Sequence, residues 1–174
     1  MDKLLIVVDM QKDFIDGTLG TAEAQSIIDK VVRKIDSFEG SIIATKDTHR
    51  ADYLETREGK YLPVPHCIKH TEGWEIDKNI MSALKRKGFR LVEKTTFGSV
   101  ELPELIKEKF NTEKLSIELI GLCTDICVVS NAMLLKAAFP EMDISVDSSC
   151  CAGVTPEKHE AALETMRSCQ IEIK

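Results

Sequence analysis

Four residues that can do covalent or metal chemistry follow short apolar runs in this sequence. The residues that end or follow these runs are Asp9 (after LLIVV), Asp47 (after IIATK), Lys94 (after RLVE) and Cys127 (after ELIGLCTDI). A thiolate is a strong nucleophile, and a helix N-terminus with a neighbouring ammonium lowers the pKa of a thiol. A nearby carboxylate can take the thiol proton. Asp9, Lys94 and Cys127 could therefore form a cysteine-nucleophile unit.

Each of these three residues also has an ordinary structural interpretation. Cys127 in CVVSNAM could be a small buried hydrophobe, Asp9 could cap a loop or pair with a buried lysine, and Lys94 could be a solvated surface residue. The catalytic interpretation gains weight only because all three follow separate apolar runs.

A second group of residues could bind a metal. Asp47 and His49 form D-T-H, and His66 follows in PVPHC, where two prolines stiffen the loop. One carboxylate and two imidazoles suit zinc, iron or manganese, with positions left open for water or substrate. Glu55 and Glu58 of the same loop are candidates for a fourth, oxygen ligand. The alternative is a loop Asp–His pair that makes only local hydrogen bonds.

Apolar runs alternate with helical patterns along the chain. We predict strands at Leu4–Val8, Ser41–Thr45, Arg90–Glu93, Leu115–Ile120 and Ile144–Val146, and a closing edge strand at Gln170–Lys174. Helical spacing predicts helices around Ile27–Ile35, Ile76–Leu84 and Leu102–Phe110, from about Asp125, and after Thr155-Pro156. This alternation predicts a three-layer α/β/α sandwich over residues 1–174 as one domain, with a mostly parallel sheet of about six strands.

Such a sheet would gather the polar residues that sequence order scatters. Ligands of an open parallel sheet bind in the crevice beyond the carboxyl ends of its strands. The residues that would lie at this edge are Asp9, Asp47 with His49, Lys94 and Cys127. The segment Thr48–Glu75 is long for a connection in this fold, and long ordered loops are usually functional.

Composition excludes several classes of partner. The chain has 174 residues and a net charge of −6 without a basic cluster, which argues against nucleic acid. No apolar stretch approaches the roughly 20 residues of a membrane span, and no targeting segment is recognisable, so we expect a cytoplasmic protein with a small-molecule partner. The six cysteines form no C-x-x-C motif, which favours a reduced protein with one special thiol. His70 and His159 are interpreted as surface residues without a role.

The sequence resembles the isochorismatase-like cysteine hydrolases, and among them most of all the nicotinamidases. The resemblance rests, in chain order, on VVDMQKDF, KDTH, PVPHCI with TEGWE, EKTTFGS and GLCTDICV, and it runs through nearly the whole chain. It implies a three-layer α/β fold and an Asp–Lys–Cys triad at Asp9, Lys94 and Cys127. The implied reaction is hydrolysis of nicotinamide to nicotinate and ammonia through a cysteine thioester.

Backbone and metal features are implied by the same resemblance. A non-proline cis peptide is expected at Leu122–Cys123, and the backbone N–H groups of Cys123 and Cys127 are expected to form an oxyanion hole. The family's metal ligands correspond to Asp47, His49 and His66. One divalent metal is implied, zinc first and iron or manganese as alternatives. Nicotinamidases hold the pyridine nitrogen with this metal, whereas isochorismatases and several other branches lack it.

The presumed ring pocket departs from the family pattern. Many nicotinamidases carry a tryptophan shortly before the second metal histidine, where this chain has Tyr61-Leu62-Pro63, and its only tryptophan is Trp74. We take Phe14, Tyr61 and Leu122 as candidates for lining the pocket, with structural packing as the alternative.

Other functions stay open on the sequence alone. A different amidase of the superfamily, acting on a ureido or carbamoyl compound, would share the triad without needing the metal. A non-catalytic redox-sensing relative would use the cysteines but need neither Asp9 nor Lys94. Isochorismate hydrolysis does not need the thiol of Cys127. Relatives are often dimers or larger, so a homo-oligomer is also open.

Overall fold

Six parallel strands form one sheet in the order β3-β2-β1-β4-β5-β6 in a computed structural model, which describes residues 2–174. The strands are β1 (Asp2–Val8), β2 (Ser41–Asp47), β3 (Arg90–Lys94), β4 (Leu115–Leu122), β5 (Asp143–Ala152) and β6 (Glu172–Ile173). The helices are α1 (Lys12–Ile15), α2 (Ala22–Ser26), α3 (Ile28–Ser37), α4 (Arg57–Tyr61), α5 (Lys78–Lys87), α6 (Leu102–Lys109), α7 (Val129–Ala138) and α8 (Pro156–Ser168). The predicted α/β class with a parallel sheet is confirmed.

The central strand β1 shows why the molecule has three layers. Leu5 and Val7 pack on one face with α3 and α5, whereas Leu4, Ile6 and Val8 pack on the other face with α6, α7 and α8. All five side chains are at most 1% exposed. Because successive side chains point to opposite faces of a sheet, a strand covered on both faces needs a continuous apolar run. No helix of residues 2–174 is long and apolar enough to cross a bilayer.

Local geometry explains the end of α5 and confirms the predicted start of α8 at Thr155-Pro156. α5 ends at Gly88, which has a φ of 77°, a conformation that favours glycine. α8 begins after Thr155, whose hydroxyl oxygen accepts a hydrogen bond from the Lys158 N–H at 3.3 Å. Pro156 occupies the first turn, where its missing N–H costs nothing.

The short elements differ from the prediction. α1, α2 and α4 have four or five residues each, too few to show a helical period. β5 continues far beyond the predicted Ile144–Val146. Its second half was not predicted because it carries polar residues, and its pairing with β4 shifts register there. The segment Thr48–Glu75 contains α4 and a 3₁₀ turn at Tyr53–Glu55 rather than only irregular chain.

Gly121 lets β1 and β4 approach each other next to the strand ends that carry the polar residues. It pairs with Val8 and has a φ of 119°. A Cβ at this position would lie 2.1 Å from the Val8 carbonyl oxygen, which is far inside van der Waals contact. Only glycine therefore fits here, one residue before the end of β4.

Candidate active site

The carboxyl ends of β1, β3 and β4 bring Asp9, Lys94 and Cys127 into contact. Lys94 Nζ lies 2.6 Å from Asp9 Oδ2 and 3.5 Å from Cys127 Sγ. All three residues are at most 4% exposed. The structure therefore places a thiol, an ammonium and a carboxylate together in a buried site.

Asp9 and Lys94 are both held by further hydrogen bonds. Asp9 Oδ1 accepts a hydrogen bond from the Thr45 hydroxyl at 2.6 Å, and the Asp9 N–H donates to Thr45 Oγ1 at 3.2 Å. Lys94 Nζ donates to the carbonyl oxygen of Thr96 at 3.0 Å. Thr45 was not predicted as a site residue, although it lies two residues before Asp47 and therefore on the same face of β2.

Cys127 lies in a π-helical turn, Thr124–Val128, which we call the nucleophile turn. The peptide bond before it, Leu122–Cys123, is cis, as the resemblance implied. The carbonyl oxygen of Cys123 accepts hydrogen bonds from the N–H groups of Ile126 and Val128, both at 3.1 Å. These bonds make the turn one compact unit that leads directly into α7.

Asn131 fixes the nucleophile turn from α7. Its Nδ2 donates to the Cys127 carbonyl oxygen at 2.8 Å, and its Oδ1 accepts a hydrogen bond from the Ser99 N–H at 2.9 Å. Asn131 is fully buried. It therefore ties Cys127 to the loop that follows Lys94. The only sign of this contact in the sequence is the position of Asn131, four residues after Cys127.

Burial sets the resting protonation of the triad. It raises the pKa of the Cys127 thiol well above its ordinary value, the charge of Asp9 adds to this, and Lys94 opposes it only partly. The expected lowering of this thiol pKa is therefore wrong. Burial also raises the pKa of Asp9 against the opposing charge of Lys94. For Lys94 burial acts downward, but the neighbouring acidic groups outweigh it and raise its pKa. Burial thus holds the Cys127 thiol toward its neutral form, while the acidic neighbours of Lys94 hold the lysine toward its charged form.

Asp47, His49, Glu58 and His66 bring four ligand atoms within 4.8 Å of one another. His49 Nε2 lies 2.9 Å from Asp47 Oδ2 and 3.6 Å from Glu58 Oε1. His66 Nε2 lies 3.8 Å and 3.7 Å from the same two oxygens. Four ligands about 2.0–2.2 Å from a tetrahedral ion are about 3.4 Å apart, so these residues fit one divalent metal.

The surroundings of the four ligands orient them toward one point. His66 Nδ1 donates to the Val64 carbonyl oxygen at 2.8 Å, which leaves its Nε2 free for a metal. Gly59 lets α4 pack close to Tyr53, since a Cβ there would lie 2.1 Å from the Tyr53 carbonyl oxygen. This packing presents Glu58 to the histidines, whereas Glu55, the other candidate, is exposed and outside the cluster.

Tyr53 and Gln11 support the metal ligands and were missed in the sequence. The ring of Tyr53 is 1% exposed and lies 4.8 Å from that of His49 and 5.0 Å from that of His66. Burial, with the charges of Glu58 and Asp47, raises the pKa of Tyr53 to about 12. Gln11 Nε2 donates to the Asp47 carbonyl oxygen, and its Oε1 accepts from the Asp47 N–H, both at 2.7 Å. Its spacing of two residues from Asp9 was the available signal.

The three candidates for lining a ring pocket lie in different surroundings. Phe14 is buried and its ring lies 5.5 Å from that of His66, beside the metal ligands. Leu122 is buried in the core at the end of β4. Tyr61 does not line the site, because it ends α4 with 77% of its surface exposed and pairs with Arg57. The tyrosine that does contact the site is Tyr53.

The chain is similar to proteins of known family and to several solved structures. Residues 3–173 match the family model described as Isochorismatase domain. The nicotinamidase/pyrazinamidase of Mycobacterium tuberculosis is 28% identical over 98% of this chain and 97% of its own, and the nicotinamidase of Saccharomyces cerevisiae is 24% identical over 75% and 80%. The crystal structure of nicotinamidase/pyrazinamidase from Bacillus subtilis is 27% identical with a TM-score of 0.85 over 99% of both chains. The pyrazinamidase of Pyrococcus horikoshii in complex with zinc is 25% identical with a TM-score of 0.76 over 100% of this chain and 99% of its own. The chain belongs to the isochorismatase family.

Proposed function

We propose that this protein is an amide hydrolase that converts nicotinamide to nicotinate and ammonia through a thioester on Cys127. The observation that carries the proposal is the position of Lys94, whose Nζ contacts Asp9 and Cys127 and also lies 3.4 Å from Asp47 Oδ1. Because one lysine contacts both the proposed nucleophile and a proposed metal ligand, the two groups can act on the same small molecule. Nicotinamide carries a carboxamide for the thiol and a ring nitrogen for the metal.

In the first half of the reaction, Asp9 takes the thiol proton and the sulfur attacks the carboxamide carbon. Lys94 stabilises the thiolate by its charge, which is needed because burial raises the pKa of this thiol. The backbone N–H groups of Cys123 and Cys127 are proposed to donate to the oxyanion. Asp9 then returns the proton to the leaving nitrogen, so that ammonia departs and the thioester remains.

In the second half of the reaction, Asp9 again acts first as a base and then as an acid. Asp9 takes a proton from water, the resulting hydroxide attacks the thioester carbon, and nicotinate leaves as the carbon–sulfur bond breaks. The proton returns to the sulfur of Cys127. One water is consumed, and one acid and one ammonia are formed, so the site is restored to its neutral thiol.

Asp47, His49, Glu58 and His66 are the residues proposed to hold a divalent metal. A metal held by these residues would supply a Lewis acid for the ring nitrogen of the substrate. Two imidazoles and two carboxylates suit zinc, with iron and manganese as alternatives. The zinc complex of the similar Pyrococcus horikoshii pyrazinamidase supports zinc.

The proposal is tested by comparing nicotinamide with benzamide, which has the same carboxamide and ring shape but no ring nitrogen. We expect zinc-loaded protein to release ammonia from nicotinamide at least about tenfold faster than from benzamide. Removal of the metal should abolish this preference, and added zinc should restore it. Equal rates on both amides would contradict binding of the ring nitrogen. Ammonia from a ureido or carbamoyl compound alone would identify a different amidase of the family.

The depth of Cys127 argues against the redox-sensing alternative. Sensor cysteines are accessible and have a low pKa, whereas Cys127 is 4% exposed and burial raises its pKa. A hydrolase tolerates this thiol because Asp9 removes the proton only when the substrate is in place.

A further inference from the structure

A histidine outside the triad and the metal cluster is hydrogen-bonded to the nucleophile turn. Nδ1 of His159, on α8, lies 2.7 Å from Oγ1 of Thr124. Thr124 is fully buried, and the side chain of His159 is only 17% exposed. His159 is therefore partly buried and in contact with Thr124, and its interpretation as a surface residue is wrong.

The junction of β5 and α8 is built closely against the same turn. Oδ1 of Asp125 accepts a hydrogen bond from the Val154 N–H at 2.9 Å. Gly153 allows the first turn of α8 to approach the end of β5, because a Cβ there would lie 2.7 Å from the backbone nitrogen of His159. Two side-chain hydrogen bonds thus join the nucleophile turn to this junction, one through Thr124 and one through Asp125.

The nucleophile turn connects Thr124 to Cys127 through backbone hydrogen bonds. Thr124 directly follows Cys123, whose carbonyl oxygen accepts hydrogen bonds from the N–H groups of Ile126 and Val128 on both sides of Cys127. The position of Cys127 between these two donors is therefore linked to that of Thr124 by the backbone of one short turn. Misplacement of reacting groups by as little as about 1 Å can cost on the order of a hundredfold in rate.

We propose that His159 is a positioning residue, which holds the nucleophile turn through the hydrogen bond between its Nδ1 and Thr124 Oγ1 so that Cys127 faces Lys94 and Asp9. The expected effect on turnover rests on the proposed function. The expected effect on the reactivity of the Cys127 thiol does not depend on the substrate, and the two effects can be measured separately.

The test uses three substitutions of His159 in the full-length, zinc-loaded protein. His159→Asn places an amide atom where Nδ1 lies, His159→Gln places one where Nε2 lies, and His159→Ala removes both. Two rates are measured: alkylation of Cys127 by iodoacetamide, followed by mass spectrometry of the Cys127 peptide, and ammonia release from nicotinamide. We expect the Ala and Gln variants to lose about three- to tenfold in both rates, as for one lost hydrogen bond. KM should change by less than about twofold, and the Asn variant should stay within about twofold of wild type.

Thr124 supplies the matched test from the other side of the hydrogen bond. Thr124→Val removes the hydroxyl at nearly constant shape and should lose the same factor as His159→Ala, whereas Thr124→Ser keeps the hydroxyl and should retain the wild-type rates. The double variant His159→Ala/Thr124→Val should be no slower than either single variant, because both remove one interaction. If His159→Ala does not fold, the Thr124 pair decides the question.

The outcomes separate this inference from the proposed function. Wild-type rates in His159→Ala, or equal losses in the Asn and Gln variants, would overturn the positioning role. Protein that releases no ammonia from nicotinamide but shows the Asn-against-Gln difference in alkylation would refute the proposed substrate and support the positioning role. Ammonia release without any such difference in either rate would support the substrate and overturn the positioning role.

Discussion

The ammonium of Lys94 lies 3.4 Å from Oδ1 of Asp47, whose other oxygen, Oδ2, lies 2.9 Å from His49 Nε2. One carboxylate thus faces the proposed nucleophile with one oxygen and the metal ligands with the other. Burial acts to raise the pKa of Asp47, but the hydrogen bond with His49 and the charge of Lys94 outweigh it and lower the pKa. Asp47 therefore stays ionised and joins Lys94 to the other candidate metal ligands.

Replacement of Asp47 by asparagine is expected to weaken metal binding and activity together. The amide is a poorer ligand than a carboxylate, and it no longer balances the charge of Lys94. We expect wild type to keep about one zinc ion per chain after dialysis and Asp47→Asn to keep far less. Asp52→Asn, a half-exposed carboxylate in the same loop, is the control and should keep both metal and activity. Unchanged zinc content in Asp47→Asn would show that the metal binds elsewhere.

Asn131→Ala is expected to reduce both stability and turnover. The substitution leaves the Ser99 N–H and the Cys127 carbonyl oxygen buried without their partner, and each unsatisfied group costs about 1–3 kcal/mol. Urea denaturation should show a loss of about 2–4 kcal/mol. Asn79→Ala, at an exposed position of α5, should change the free energy of unfolding by less than about 0.5 kcal/mol. Similar losses in the two variants would mean that Asn131 adds nothing specific.

Two glycine substitutions are expected to differ in cost. Gly88→Ala introduces only backbone strain, because a Cβ at this position meets no atom within 4 Å, and should cost about 1–2 kcal/mol. Gly121→Ala adds a clash with the Val8 carbonyl oxygen at 2.1 Å to similar strain and should cost roughly 3 kcal/mol or more. Thermal unfolding measures the difference. Equal losses would contradict the close contact between β1 and β4.

Asp147 is expected to make stability depend on pH. Its carboxylate accepts hydrogen bonds from Lys34 at 2.9 Å and from Ser149 at 2.7 Å. Burial acts to raise its pKa, but these partners outweigh it and hold the pKa below the ordinary value. Because the folded-state pKa is the lower one, the stabilisation is present above the unfolded-state pKa of about 3.9. It is lost as the pH falls through the folded-state pKa.

Asp147→Asn should therefore lower the free energy of unfolding by roughly 1 kcal/mol or less at neutral pH. The difference from wild type should shrink as the pH is lowered below about 4. Urea denaturation at neutral and acid pH measures it. Asp29→Asn removes one negative charge from an exposed position of α3 and controls for the change in net charge. A deficit of Asp147→Asn that persisted unchanged in acid would rule out the ionised carboxylate as its cause.

The long elements could be predicted because burial leaves a period in the sequence. β1 is apolar throughout since both of its faces are covered, and the ends of α5 and α8 carry Gly88 and Thr155. β5 was predicted too short because its second half carries polar residues without a clear alternation. The ends of the apolar runs could also be located in the sequence. Asp9, Lys94 and Cys127 could therefore be predicted as site residues.

Contacts between distant segments were not visible in the sequence. Tyr53 faces the metal histidines, while Tyr61, which was taken as a pocket residue, is exposed. Asn131 reaches a partner 32 residues away in the chain. The predicted direction of the Cys127 pKa shift was wrong. The pattern of strand ends indicated that Lys94 would lie near Cys127, but it did not show how deeply the thiol is buried, and burial outweighs the lysine.

The most direct test of the proposed nucleophile is ammonia release from nicotinamide by wild type, Cys127→Ala and Cys169→Ala at equal zinc content. Cys169 is a half-buried free thiol near the end of α8, so its variant controls for the loss of a cysteine as such. We expect wild type and Cys169→Ala to be equally active. Cys127→Ala should be at least about a thousandfold slower while keeping a similar unfolding temperature. Substantial ammonia release by folded Cys127→Ala would contradict a cysteine thioester mechanism.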